Sequence, residues 1–177
     1  MDVKQHWPQI VQTIHQGQKS NMHCSIASVD ENGMPNITPI GTVFLRDDQS
    51  AYFFDSFTSQ LANNVQHNPN VCLSAVNSST TFWLKSFFKG HFATPPGVRL
   101  YGTIGPLREA TQEELAAVEK RIKPMKRLKG SKLIWSDFTH VRDIQFTDFR
   151  PVQYPKMMEG LWGGELASKD EPEFFDA

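Results

Sequence analysis

The stretch DSFTSQLANNVQHNPNV, from Asp55 to Val71, decides how the rest of the sequence is interpreted. It follows the aromatic run AYFF, carries a hydroxyl pair at Thr58 and Ser59, and ends on Asn-Pro before new apolar residues. Hydroxyl residues are favoured at helix starts and proline ends helices. The stretch therefore predicts a helix of about two turns between two strands. Such a helix start can be purely architectural, or its free backbone N–H groups can bind an anion.

Runs of alternating apolar residues predict strands on both sides of this helix. Asn32-Gly33 lies between two such runs and is a strong hairpin signal, because both residues tolerate positive φ. A second hairpin turn is predicted at Arg46 to Ser50. The predicted strands are residues 22–29, 36–45, 51–55, 70–76, 98–105 and 139–149, with a further candidate at 80–92. Strands in hairpin order with few helices predict a mainly β (α+β) fold, an antiparallel barrel of six strands, instead of a doubly wound sheet.

Two more helices are predicted outside the strands. The first falls within residues 1–20, where an apolar stripe precedes Gly17, which we expect to end the helix; its members are Trp7, Ile10, Val11 and Ile14. The second begins at Thr111-Gln-Glu-Glu114, which has the spacing of a capping box, and ends at Pro124. All 177 residues are expected to form a single domain with a frayed acidic tail at 165–177.

Composition excludes several classes of protein. A net charge of −1 argues against a general nucleic-acid binder, whose affinity comes from neutralising many phosphates. No apolar run reaches the ~20 residues of a membrane span, and the start lacks a signal-peptide pattern, so a cytoplasmic protein is expected. Cys24 and Cys72 are far apart and in no metal-binding pattern, which favours two buried free thiols.

Common catalytic and metal-binding motifs are missing or incomplete. Ser86 to Lys89 has the SxxK spacing of penicillin-recognising enzymes but lacks their partner motifs, and the six histidines do not have zinc-hydrolase spacing. The basic stretch Lys120 to Lys132 is interpreted as a solvated helix end, with binding of an acidic partner as the alternative. No catalytic residue can be assigned from the sequence.

From about Met22 to Val76 the order of elements resembles the pyridoxamine 5'-phosphate oxidase-like superfamily of FMN-binding split barrels. The resemblance is carried by NGMPNITPIG at 32–41, AYFFD at 51–55 and TSQLANNVQHNPNV at 58–71, and VRLYGTIG at 98–105 looks like a later barrel strand. It implies a six-stranded split barrel with a few short peripheral helices. It also implies FMN bound across the barrel surface, at the interface of a homodimer.

The resemblance places the cofactor on three segments. The flavin ring is expected along Thr38, Pro39, Ile40 and Gly41, with Phe54, Asp55 and Ser56 closing one side. The phosphate is expected at the helix start, formed by Thr58, Ser59, Gln60 and Leu61, with Asn64 one turn further on.

Departures from the family pattern bear on affinity and substrate. Ser59-Gln60-Leu61 stands where the oxidase has Ser-Arg-Lys, and Asp55 adds a negative charge, so weakened FMN binding is expected. Cations that could compensate, from this chain or from a second subunit, are Lys85, Lys89 and Arg99. The segment FRPVQYP at 149–155 does not match the oxidase's Arg-Leu-x-Pro run, which argues against the vitamin B6 reaction.

Three functions stay open at this point. The first is an FMN-dependent oxidoreductase of unidentified substrate, in which the flavin carries the electrons. The second is a carrier or sensor of flavin, deazaflavin or haem without turnover; candidate axial ligands for haem are His23, His91 and His140. The third is a cofactor-free interaction module that uses its dimer surface.

Overall fold

The structure, a computed structural model, describes residues 2–56, 58–125 and 138–163. The predicted tail at 165–177 and most of the basic stretch, from Lys126 onward, lie outside the described residues. The helices are α1 (Val3–Asn21), α2 (Ser59–His67), α3 (Thr80–Lys89) and α4 (Gln112–Ile122), with 3-10 helices at Lys123–Met125 and Pro155–Met157. The strands are β1 (Cys24–Val29), β2 (Pro35–Ile40), β3 (Val43–Leu45), β4 (Ser50–Phe54), β5 (Asn70–Val76), β6 (Gly97–Glu109) and β7 (His140–Pro151).

All seven strands belong to one antiparallel sheet with the order β2-β1-β5-β6-β7-β4-β3. The two edge strands, β2 and β3, are joined by only Gly41 and Thr42. Two residues cannot cross the width of a flat seven-stranded sheet, so the sheet curls until its edges meet at this link. The predicted mainly β split barrel is confirmed. It has seven strands instead of six, because the predicted strand 36–45 is divided at the link.

Both predicted hairpins are confirmed by the backbone of their turns. Between β1 and β2, Gly33 has φ +81°, and the carboxylate of Asp30 accepts hydrogen bonds from the N–H groups of Asn32 and Met34. Between β3 and β4, Gln49 has φ +64°. Asp30 therefore organises the first turn while glycine supplies the left-handed conformation that other residues rarely adopt.

The strand candidate at 80–92 is wrong, because this segment forms helix α3. Ser79 precedes the helix, and Gly90 ends it in the left-handed conformation with φ +69°. Phe82, Trp83 and Ser86 face the protein, which is a helical spacing that the long apolar run conceals. An apolar segment without strict alternation does not separate a strand from a helix.

The prediction that Gly17 ends the first helix is also wrong, since α1 continues to Asn21. Gly17 is buried against β5, where an added Cβ would lie 3.0 Å from the Cβ of Ala75. The glycine therefore permits close contact between helix and sheet. The predicted stripe is confirmed, with Ile10 and Ile14 fully buried.

Two apolar clusters cover opposite faces of the curled sheet. The larger lies between α1 and the concave face, where Ile26 and Leu73 are fully buried. The smaller lies on the opposite, convex face of the sheet near β4. There α4 packs on Tyr52 and Phe54 of that strand. Successive residues of β4 alternate between the two clusters, which explains why its aromatic run is buried on both faces.

A third surface belongs to neither cluster, and we call it the open face. It is formed by the outward side chains of β1, β2, β5 and β6. Its apolar and aromatic members include Ala27, Val29, Ile37, Pro39, Cys72, Val76 and Tyr101, and Ser25, Ser74 and Arg99 lie on the same face. Both cysteines are free, as predicted; Cys24 is buried, and Cys72 is half-buried on the open face. Burial raises the pKa of the Cys24 thiol to about 12, so this thiol stays protonated. Within the described ranges, no helix is both long and apolar enough to span a membrane.

Four charged side chains attach α4 to the sheet. Arg108 donates to the carboxylates of Asp143 and Glu114 at 2.7–2.9 Å. Arg46 donates to the Glu114 carboxylate at 2.7 Å and to the Asp143 carboxylate at 2.9 Å. Glu114 also accepts from the Thr111 N–H, which completes the predicted capping box. These contacts, led by the hydrogen bond from Arg108, lower the pKa of Glu114 to about 2 and also lower that of Asp143.

The free energy of unfolding should fall as the pH drops from about 4.5 toward 2. In that window the unfolded carboxyls take up protons before the folded ones do, because the folded pKa values are depressed. Glu114→Gln keeps a side chain suited to the capping box but removes one titrating group. Urea unfolding at several pH values should show a weaker acid dependence for this variant. Identical pH dependence in variant and parent would contradict this role.

Candidate functional site

The link between β2 and β3 is fixed by side chains from three elements. The Thr42 hydroxyl bonds both the N–H and the C=O of Phe54, at 3.3 and 3.4 Å. Gln18 of α1 donates to the Val43 carbonyl at 2.9 Å. These bonds bring the predicted ring-binding segment, which ends at Gly41, next to the end of β4. These two segments, both expected beside the flavin ring, are therefore adjacent in the fold.

Arg121 of α4 contributes the third contact to the link. Its guanidinium donates to the carbonyls of Gly41 and Val43, at 3.1 and 2.6 Å, and lies 3.6 Å from the ring centroid of Phe44. Burial lowers the pKa of Arg121 below its usual value, though the group stays charged at neutral pH. The basic stretch is thus more than a solvated helix end, because this member lies three residues after the buried Val118 and turns toward the sheet.

Asp55, directly after β4, forms an ion pair with Arg142 of β7. The Nε of Arg142 donates to the Asp55 carboxylate at 2.5 Å, and both side chains are at most 10% exposed. The hydroxyl of Thr58 donates to the same carboxylate, and the Asp55 N–H donates to the His140 carbonyl at 3.1 Å. The negative charge of Asp55, which was expected to repel a phosphate, is therefore neutralised by Arg142. Through its bonds to Thr58 and His140, Asp55 also positions the residues that lead into α2.

The start of α2 has no side-chain cap. Thr58 occupies the cap position, but its hydroxyl is directed to Asp55. Ser59 and Gln60 are exposed, while the Leu61 side chain is buried, so Leu61 offers only its backbone N–H. The first N–H groups of a helix have no partner within the helix. Together with the Ser59 hydroxyl, they can hold an anion such as a phosphate.

Asn64 positions α2 and does not face outward. Its amide donates to the Ser28 hydroxyl of β1 at 2.9 Å and accepts from the Gln60 amide at 2.8 Å, and the residue is 2% exposed. The role of Asn64 in orienting a ligand stays a prediction. With its amide held by Ser28 and Gln60, Asn64 would act only indirectly. It fixes the helix whose first turn carries the free N–H groups.

The three candidate cations lie on β6 and α3, which are not among the elements that α2 contacts most. This helix packs mainly against β1 and β2, whereas Arg99 lies on β6, two strands beyond β1, and opposite Arg150. Lys85 and Lys89 are exposed on α3, between β5 and β6. A contribution of these cations to a phosphate at Ser59 stays a prediction that depends on a second copy of the chain.

The candidate haem ligands lie in separate parts of the chain: His23 between α1 and β1, His91 between α3 and β6, and His140 at the start of β7. His23 and His91 contact backbone carbonyls through Nδ1, at 3.3 and 3.1 Å, and His140 contacts the Thr139 hydroxyl at 2.9 Å. In the part of the chain that the structure describes, no group of three or more His, Cys, Asp and Glu side chains is placed to hold a metal ion.

Arg142 and Arg121 are the residues of this region that the sequence analysis missed. Arg142 is 87 positions from Asp55, and no local pattern connects them. Arg121 gives a weak signal through its spacing from Val118, which places both on one face of a helix.

Comparisons with known proteins agree on the fold. Residues 10–145 match the family model described as Pyridoxamine 5'-phosphate oxidase. An FMN-binding protein from Syntrophomonas wolfei has 12% identity and a TM-score of 0.59, over 86% of this chain and 95% of that one. HupZ from Group A Streptococcus has 17% identity and a TM-score of 0.53, over 81% and 93%. The heme storage protein HutZ from Vibrio cholerae has 15% identity and a TM-score of 0.51, over 80% and 94%.

At these identities the structural likeness shows the fold alone. No curated protein matches the sequence.

Replacing Asp55 by Asn should lower the free energy of unfolding by about 3 kcal/mol, because it leaves the Arg142 guanidinium buried without its counter-charge. Asp47→Asn, at an exposed turn position, is the matched control and should change stability by under about 0.5 kcal/mol. Equilibrium urea unfolding of both variants measures the difference. Equal midpoints for Asp55→Asn and the parent would show that the pair does not stabilise this loop.

Proposed function

The chain belongs to the pyridoxamine 5'-phosphate oxidase-like superfamily of split barrels, and on that premise we propose that it binds FMN where the barrel closes. We further propose that it is a flavin-dependent oxidoreductase whose substrate is still to be identified. The observation that carries the proposal is the start of α2, which has no side-chain cap. The Asp55–Arg142 ion pair fixes the loop before it, and Arg121 fixes the link between β2 and β3 nearby. An FMN-binding protein of the same fold supports it.

The phosphate is proposed to lie at the first turn of α2. There, the N–H groups of Ser59 and Gln60 and the Ser59 hydroxyl would donate to the phosphate oxygens, and the helix dipole would favour the negative charge. The Arg-Lys pair of the oxidase is still missing. The internal neutralisation of Asp55 by Arg142 removes one expected repulsion, so binding weaker than in the oxidase but specific is expected.

The flavin ring is proposed to lie along β2 toward Gly41, with the end of β4 on one side. Pro39 and Gly41 are exposed, and neither presents a large side chain to an approaching ring. Arg121 holds the Gly41 carbonyl, so the backbone there is fixed before a ligand arrives. Bound FMN would supply the electron-transfer chemistry, while these residues bind and orient it.

A second copy of the chain is proposed to cover the open face. Ile37 is 68% exposed there, and the neighbouring outward side chains of β1 and β5 belong to neither apolar cluster. A sheet face that carries several outward apolar side chains and no covering helix is typical of an interface. A partner on this face is also the route by which Arg99 of one copy would approach the α2 start of the other.

Ser59→Glu should weaken FMN binding at least roughly 30-fold, since a carboxylate would stand where the phosphate is proposed to bind and a charge-assisted hydrogen bond would be lost. The flavin-free variant should melt no lower than the parent, because an acidic residue at a helix start interacts favourably with the dipole. Fluorescence titration with FMN and thermal melts measure the two effects.

The matched control is Gln112→Glu, which adds the same charge to the first position of α4 and should leave FMN affinity unchanged. Equal FMN affinity of Ser59→Glu and the parent would remove the phosphate from α2. Absorbance of the purified parent separates the alternatives: a flavin spectrum supports the proposal, whereas a Soret band, or no chromophore and no FMN binding, contradicts it.

Ile37→Asp should convert a dimer into monomers at micromolar concentration, because it places a charge within the proposed apolar interface. The control is Leu107→Asp, at a half-exposed apolar residue of β6 outside the open face, which should stay dimeric. Sedimentation velocity distinguishes the species. A parent protein that sediments as a monomer would defeat the proposed interface.

A further inference from the structure

Helix α3 presents large apolar side chains to solvent on its outward face. Leu84, Phe87 and Phe88 are 52%, 62% and 91% exposed and lie at positions i, i+3 and i+4, which form one face of a helix. Ser86, on the opposite side of the helix, is buried. A helix on the surface of a globular protein normally directs its polar residues outward. In α3 this order is reversed, so its outward face is suited to an apolar environment.

The inward face of α3 holds the helix in this orientation. The indole of Trp83 donates to the Asn77 carbonyl at 2.7 Å, and the Phe82 ring stacks on Phe92 with 5.6 Å between the ring centroids. Tyr154, which precedes the second 3-10 helix, packs edge-on against Trp83. Because these contacts fix the inward face, the helix cannot turn its exposed apolar side chains toward the protein.

Two cations border the apolar side chains, and we call the whole surface the α3 patch. Its members are Leu84, Phe87 and Phe88 with Lys85 and Lys89. Both lysines are exposed, one turn apart, on the side of the helix next to Leu84 and Phe88. Lysine side chains can lie along apolar surface and keep their ammonium groups in the polar layer above it. The patch thus offers an apolar stripe beside a positive stripe.

The segments that build this part of the surface are poor in negative charge. Residues 56–108, which include α3, contain no Asp or Glu, although the sequence has 19 acidic residues. The 3-10 helix at Pro155–Met157 adjoins α3 through the hydrogen bond from the Phe92 N–H to the Met157 carbonyl, at 2.8 Å, and it carries the exposed Lys156. The acidic residue that follows it is Glu159. The charge of these segments therefore complements an anionic surface.

We propose that the α3 patch binds the surface of a lipid membrane that contains anionic phospholipids. Leu84, Phe87 and Phe88 enter the lipid below the headgroups, while Lys85 and Lys89 contact the lipid phosphates. The helix has ten residues and is about 15 Å long, so it lies along the surface and does not span the bilayer. This contact is independent of the FMN site proposed above.

Other occupants fit the α3 patch less well. Two patches packed on each other in a symmetric pair would bring the lysines of both copies together. A protein partner of acidic character would satisfy the lysines, but it would also need a groove shaped for three bulky side chains that project from one helix. Lipid chains and headgroups satisfy both requirements, because the chains deform around apolar side chains and the phosphates are negative.

Co-sedimentation of the full-length protein with vesicles tests the contact. Partition onto phosphatidylcholine vesicles with about one third phosphatidylglycerol should exceed partition onto pure phosphatidylcholine at least about fivefold. Phe87→Ser with Phe88→Ser should lower partition at least about tenfold, because these side chains no longer enter the lipid. Lys85→Gln with Lys89→Gln should lower it at least about fivefold, on the anionic vesicles only. All four side chains are exposed, so thermal melts without lipid should hardly change.

Matched variants make the test specific. Met34→Ser with Leu107→Ser removes apolar side chains that are 66% and 47% exposed elsewhere on the protein, and it should leave partition unchanged. Lys120→Gln with Lys123→Gln removes two exposed lysines at the end of α4, and it should lower partition less than the change of both α3 lysines. Phe88→Trp reports insertion directly: brominated lipid should quench more of its fluorescence than of the parent's.

Several results would overturn the proposal. One is a parent protein that does not bind the anionic vesicles, and another is an absence of extra quenching in Phe88→Trp. A loss of partition from the α4 lysine changes as large as that from the α3 lysine changes would show binding by general charge. Dissociation of a dimer by Phe87→Ser with Phe88→Ser, at unchanged vesicle partition, would assign the α3 patch to a second copy of the chain.

Discussion

The short link between β2 and β3 constrains the whole sheet. Because Gly41 and Thr42 must join strands that stand at opposite edges of a seven-stranded order, the sheet has to close on itself. The closure is secured by bonds from Gln18, Thr42 and Arg121, which come from α1, the link itself and α4. The carbonyls of Gly41 and Val43, on either side of Thr42, thereby each gain a side-chain donor.

Closure of the sheet also determines which of its apolar faces must be buried by a packed helix. A curled sheet has a concave face that one long helix can fill, and α1 does so, with Gly17 permitting contact against β5. The convex side near β4 is covered by α4, which is attached through the four-membered charge cluster around Arg108. The open face on β1, β2, β5 and β6 receives no such helix among the described residues, and this asymmetry motivates a partner on that side.

The candidate site uses charges to hold its geometry. Asp55 and Arg142 are buried together, so each neutralises the other where a lone charge would be costly. Their arrangement occupies the Thr58 hydroxyl and leaves the first N–H groups of α2 without a side-chain partner. The same residues that make the loop rigid therefore leave the helix start available to an anion, which links stability of the loop to the proposed binding of a phosphate.

Local patterns in the sequence determined much of the fold. Alternation of apolar residues gave the strands, Asn32-Gly33 gave the first hairpin, and Thr111 with Glu114 gave the start of α4, because each depends on chemistry within a few residues. The same reasoning placed the anion-binding candidate at Thr58 and Ser59. It failed at 80–92, where a continuous apolar run fits a strand or a helix equally, and at Gly17, where a glycine needed for packing looks like a stop signal.

Tertiary structure alone decided which distant residues meet. Arg142 pairs with Asp55 across 87 positions, and Arg121 reaches Gly41 across 80, because β7 lies beside β4 and α4 lies over the closure. Neither contact leaves a periodic trace in the sequence, since a single long-range ion pair or hydrogen bond imposes no repeating pattern on its neighbours. The sequence determined where the uncapped helix start proposed for the phosphate lies, and the fold decided that the charge of Asp55 beside it would be neutralised.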